Sequence, residues 1–97
     1  MVRHMVLFKL KEYTAENCNS LKDVLLAMEG NVPTVKSIEV RVDQLRSARS
    51  YDVLLSVDVD SWEALDEYQR DAYHCEVVKK YVLSVTNGAS VTMDYEF

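Results

Sequence analysis

Two side chains of this 97-residue sequence invite a chemical reading, the phenol of Tyr68 and the imidazole of His74. Histidine exchanges its proton near neutral pH, and partial burial favours its neutral, proton-accepting form. A tyrosine hydroxyl beside it can donate a hydrogen bond to a carbonyl oxygen as negative charge develops there. The pair therefore suits enolisation, or an aldol- or Claisen-type closure of a polyketone-like substrate, with His74 as base and Tyr68 as donor. Such chemistry requires no metal and no organic cofactor. Spacing is the obstacle, because on one unbroken helix residues six apart point about 240° away from each other. Asp71 removes it by offering an N-cap that ends one helix and begins a second at an angle.

The same positions also fit a plainer role. Tyr68 would be a core aromatic with its hydroxyl at the surface, and His74 a helix-start residue satisfied by nearby backbone. His4, on an apolar strand face, reads first as a hydrogen-bonded core residue. Together with Val6, Phe8, Leu55 and Val57 it would floor a ligand pocket beneath the helices. Two histidines with no carboxylate placed beside them make a poor metal site. Cys75 follows His74, but helix neighbours point about 100° apart, so the two do not form an activated thiol.

Four alternating segments and three helical stripes position these groups. Val2 to Lys11 alternates as a first strand, with Val2, His4, Val6, Phe8 and Leu10 on one side. Thr14 caps a helix whose stripe is Cys18, Leu21, Val24, Leu25 and Met28, closed by Gly30. Ile38, Val40 and Val42 mark a second strand, and Tyr51, Val53, Leu55, Val57 and Val59 a third. Asp60 with Glu63 resembles a capping box for a helix over 61–69 burying Trp62, Leu65 and Tyr68. A further helix over 72–83 carries the stripe His74, Val77, Val78, Tyr81 and Val82. After an Asn87-Gly88 turn, residues 89–97 alternate as the last strand. The order βαββαβ, with its second α split in two, is the ferredoxin-like α+β arrangement: a four-stranded antiparallel sheet with helices on one face. Met5, Leu7 and Leu54 then stand on the uncovered face, where a second sheet packed against it would shield them.

Composition narrows the partners. The formal charge of −5 and the scattered basic residues provide no stripe to track a phosphate backbone, which argues against nucleic acid. The N-terminal apolar run is broken by Arg3, His4, Lys9 and Lys11, which fits neither a signal peptide nor a membrane span, so a cytoplasmic protein is expected. Cys18 and Cys75 lack CxxC spacing and read as reduced thiols. A chain this short exposes about a third of its unfolded surface even when folded, so a partner subunit would add useful burial.

The opening RHMVLFKLK, the segment SWEALDEYQRDAYHCEVVKKYV and the closing SVTMDYEF together resemble the stress-responsive A/B barrel (Dabb) domain family. An early strand histidine, a Tyr-x-x-x-x-x-His before the last helix and a terminal Asp-Tyr strand occur in that order, and the resemblance takes in residues 1–97 as one domain. It implies a ferredoxin-like monomer pairing through its sheet into a homodimeric α/β barrel, with a small-molecule pocket between helices and sheet in each subunit. Most members have no assigned reaction. A plant polyketide cyclase of the family uses a tyrosine and a histidine matching Tyr68 and His74, and the family's early histidine matches His4. Where His-Pro-x-His is usual, this sequence has Asp71-Ala72-Tyr73-His74, which keeps the cap and places a bulky Tyr73 near the pocket mouth. Three functions follow: a dimeric binder of a small apolar or polyketone-like metabolite, a cofactor-free cyclase or isomerase, and a structural stress-related oligomer whose pocket is filled by Phe8, Trp62 and Tyr73.

Overall fold

The computed structural model describes Met1–Phe97. Its elements are β1 (Val2–Leu10), α1 (Ala15–Leu26), β2 (Ser37–Val42), β3 (Val53–Val59) and α2 (Trp62–Arg70). A π-helical turn (His74–Val78) then leads into α3 (Lys79–Val85), and β4 (Thr86–Glu96) closes the chain. The strands form one antiparallel sheet in the order β2-β3-β1-β4. This is the ferredoxin-like α+β fold.

The alternation in β1 sorts its residues cleanly. Val2, His4, Val6, Phe8 and Leu10 are buried, while Arg3, Met5, Leu7 and Lys9 are only half-covered. Opposite them, Val53, Leu55, Val57 and Val59 of β3 are buried too, and α1 lays Cys18, Leu21 and Leu25 over this floor. These residues, with Met28, Val32, Val40, Tyr68 and Val78, make one continuous core.

Cap chemistry sets the helix starts. Thr14 Oγ1 accepts from Asn17 N at 3.0 Å for α1. For α2 the cap is Ser61, which accepts from Ala64 N at 3.1 Å, one residue later than the Asp60 cap expected. Trp62 then occupies the first position of α2 and stands 47% exposed instead of buried, its indole N–H donating to Glu96. Asp71 ends α2 in an extended conformation, and its Oδ1 accepts from His74 N at 3.1 Å, so the expected break is present.

Three local departures have physical causes. The helix from 72 is wound as a π-turn at His74–Val78, whose wider spiral keeps His74 and Val78 inward and rotates Val77 out to 47% exposure. Asn87-Gly88 lies inside β4 as an irregularity, not before it. The pairing with β1 slips between Phe8 and Leu10, and Gly88 supplies the left-handed φ of +83° that such a bulge uses. At the start of β3 the alternation breaks: Tyr51 stands on the open face near Lys9, and Asp52 turns inward. Asp52 is held there by Leu10 N at 2.7 Å and by Arg46 at 2.9 Å.

Strand β4 sits on an edge with its apolar residues pointing away from the helices. Its register places Val91, Met93 and Tyr95 opposite Leu7, Met5 and Arg3, on the open face. Ser90, Thr92 and Asp94 instead pair with Phe8, Val6 and His4 and face the helix side.

Candidate functional site

The break at Asp71 brings α2 and the π-turn together over the middle of β1. Tyr68, fully buried at the end of α2, packs its ring 4.5 Å from that of His74 with the planes tilted by 40°. The His4 ring meets Tyr68 edge-on from below at 5.7 Å. The phenol thus stands between two imidazoles.

All three rings line one cavity of about 210 Å³ between helices and sheet. Val6, Phe8 and Leu55 form part of its floor, and Leu25, Met28 and Val78 add further apolar wall. Val57 lies outside the lining. It pairs with His4 and Ile38 in the sheet and is sealed by the core. Of the aromatics expected to plug this space, only Phe8 reaches it; Trp62 is on the surface, and Tyr73 packs against the core without entering the lining. The cavity's other margin carries Gln69, Lys79, Ser90 and Thr92.

Burial shapes the chemistry of each group. The Tyr68 hydroxyl is enclosed, not at the surface, and donates to the Met28 thioether at 3.6 Å; its pKa is pushed above the ordinary phenol value by desolvation. His74 is pushed below the ordinary imidazole value, first by desolvation, then by the charges of Lys79 and His4, with Asp71 and the Gln69 carbonyl pulling the other way. Its Nδ1 is buried without a hydrogen-bond partner. A neutral imidazole in a cavity wall is equipped to accept a proton or a ligand's hydrogen bond.

His4 is a buried, hydrogen-bonded residue, as the sequence suggested, but its partner is a carboxylate that the sequence reading did not place beside it. Its Nδ1 bonds the Asp94 carboxylate across the β1–β4 pairing, which fixes the ring and leaves Nε2 as the remaining nitrogen. Sequence reasoning missed Asp94 as a site residue. The signal was its place two positions after Thr92 on the polar side of β4, once that side is known to face the helices. No group of three metal-ligating side chains converges anywhere in the chain. Cys18 and Cys75 are free thiols, and Cys75 Sγ donates to the Gln69 carbonyl at 3.3 Å.

Comparison with known proteins agrees with this architecture. Residues 2–97 match the family described as Stress responsive A/B Barrel Domain. A search of curated proteins finds no match. Among solved structures, a Bacteroides fragilis protein described as dimeric, ferredoxin-like and of unknown function is similar at 24% identity, with a TM-score of 0.82 over 99% of this chain and 95% of its own. An Arabidopsis thaliana protein is similar at 19% identity and a TM-score of 0.86, covering 100% and 95% of the two chains. A hydroxynitrile lyase from Passiflora edulis shares 13% identity with a TM-score of 0.78 over 97% of this chain and 90% of its own. At these identities the likeness establishes the fold.

Proposed function

Because this chain belongs to the stress-responsive A/B barrel domain family, we propose that it is a homodimeric protein whose helix-side cavity binds a small, largely apolar carbonyl compound and moves a proton on it. The observation that carries this reading is the convergence of Tyr68 and His74, 4.5 Å ring to ring, in the lining of one cavity. Desolvation keeps His74 neutral, so it is ready to take a proton from the carbon beside a carbonyl. Tyr68 supports the same step by turning its hydroxyl from Met28 to the carbonyl oxygen as the enolate forms. The lyase name borne by the Passiflora edulis neighbour supports an enzymatic use of this fold.

Dimerisation is supported by the open face of the sheet, where Met5, Leu7, Leu54, Val91 and Met93 form one apolar depression. The remaining two depressions of the surface are also floored by this face. The Bacteroides fragilis relative, described as dimeric, is in keeping with a sheet-to-sheet pair.

Proton abstraction can be read without knowing the natural substrate. Small ketones and β-diketones, incubated with the protein in deuterated buffer, should exchange their α-protons faster, and His74→Gln should lower that rate about 100-fold or more. Exchange that is unaffected by His74→Gln removes His74 as the base. A second reading, a pocket that holds its metabolite without transforming it, is favoured by the Tyr68 hydroxyl being turned to the Met28 thioether. Its signature is binding of the same compounds with no accelerated exchange.

A further inference from the structure

The mouth of the cavity differs in chemistry from its floor. Lys79, the first residue of α3, lines it together with Ser90 and Thr92, on the helix-facing side of β4. The salt bridges of the chain involve Arg3, His4, Lys36, Arg41, Arg46 and Arg70, so Lys79 stands without an ion-pair partner. An unpaired cation and two hydroxyls in the lining, above an apolar floor, form the frame for a ligand with a charged end and a greasy body.

The sign and size of that charge follow from the surroundings. Lys79 is the single cationic side chain in the lining, and Asp94 follows Thr92 on the same face of β4. The chain as a whole carries a net charge of −5. A dianion such as a phosphate monoester would have one lysine to offset its two charges in a chain of net charge −5, whereas a monoanion is matched by Lys79 alone. Planar carboxylate oxygens can also accept from Ser90 and Thr92 at once. The cavity of about 210 Å³ is smaller than the roughly 300–1,000 Å³ of pockets for drug-sized ligands, so the body of the molecule is short.

We infer that the ligand of this cavity is a small keto acid, its carboxylate held at the mouth by Lys79, Ser90 and Thr92 and its carbonyl-bearing apolar part lying against Tyr68 and His74. The inference rests on the cavity being a small-molecule site and specifies which class of molecule enters it. Lys79 is exposed, so its replacement leaves the core intact.

The test is a titration of the full chain with two matched probes, hexanoate and hexanamide, followed by NMR at the His74 ring and the Thr92 amide. Hexanoate should bind about fivefold more tightly or better. Lys79→Ala should erase that preference while leaving hexanamide affinity unchanged, and Lys79→Glu should invert it. Equal affinity of the wild type for both probes, or a preference that survives Lys79→Ala, overturns the carboxylate assignment and leaves the cavity reading standing. If neither probe perturbs His74 in any variant, the cavity reading falls with it.

Discussion

At the residue scale, the Tyr68 hydroxyl separates a structural from a chemical role. Its present acceptor is a thioether, a weak one, so Tyr68→Phe should cost about 1 kcal/mol or less in urea unfolding. If the hydroxyl stabilises a developing enolate, the same change should slow α-proton exchange about 100-fold or more. His74 makes a pH prediction with a definite sign. Its folded pKa lies below the ordinary value of 6.5, so between the two the unfolded chain binds a proton that the folded chain does not. Stability contributed by this residue therefore falls as pH drops below 6.5 towards the folded value and levels off above 6.5. Urea midpoints of His74→Gln from about pH 5 to 7.5 should lack that slope relative to wild type; an identical slope in both proteins would contradict the burial argument. Tyr68 and His74 were legible in the sequence because a cap residue stood between them, and His4 because it fell on an apolar alternation. Asp94 was not. Alternation in β4 identifies two faces, and a rule that apolar residues point inward puts Val91 and Met93 under the helices and Asp94 outside, the reverse of what the β1–β4 register shows.

Elements hold these residues at their angles, and the joint at Asp71 is the clearest case. Its side chain caps the π-turn through His74 N while its backbone ends α2, so Asp71→Ala should destabilise the protein by about 1 kcal/mol, with Asp71→Ser recovering most of it in the same urea assay. Asp52 plays the corresponding part at the other end of the sheet. It binds Leu10 N on β1 and the Arg46 guanidinium of the β2–β3 loop, where Arg46 adopts a left-handed φ of +56° and lies over Tyr13. Asp52→Ala leaves a buried N–H unsatisfied, and it should cost about 2–3 kcal/mol, discounted because Arg46 is partly solvated. Element order, the number of strands and most boundaries were readable from period and caps, since those depend on local sequence. Trp62 was misplaced because, six residues before the buried Tyr68 on one helix, it points about 240° away from that ring, and Val77 because the π-turn changes the winding without leaving a distinct composition.

For the whole molecule, the open sheet face is the feature a monomer explains least well. Met93 is 64% exposed and Val91 45%, and with Met5, Leu7 and Leu54 they form one apolar surface rimmed by the Arg3–Asp58 and Arg41–Glu39 pairs. Polar rims around an apolar centre are the anatomy of a protein interface. A short chain gains proportionally more from covering such a face than a long one does. If two sheets pack there, the centre of the contact admits no uncompensated charge. Met93→Asp places a carboxylate on that surface, twice over in a symmetric pair, and each must be stripped of water or left to repel its copy. Light scattering across about 1–100 µM should therefore report twice the chain mass for wild type and the single mass for Met93→Asp, a dissociation constant raised about 100-fold or more. Far-UV circular dichroism should be unchanged, because Met93 contributes nothing to the helix-side core. The exposed helix-side change Asn19→Glu should leave the mass doubled, tying the effect to the sheet face. Wild type that stays at the single mass at the highest concentration would remove the dimer and require another cover for Met5, Leu7 and Met93.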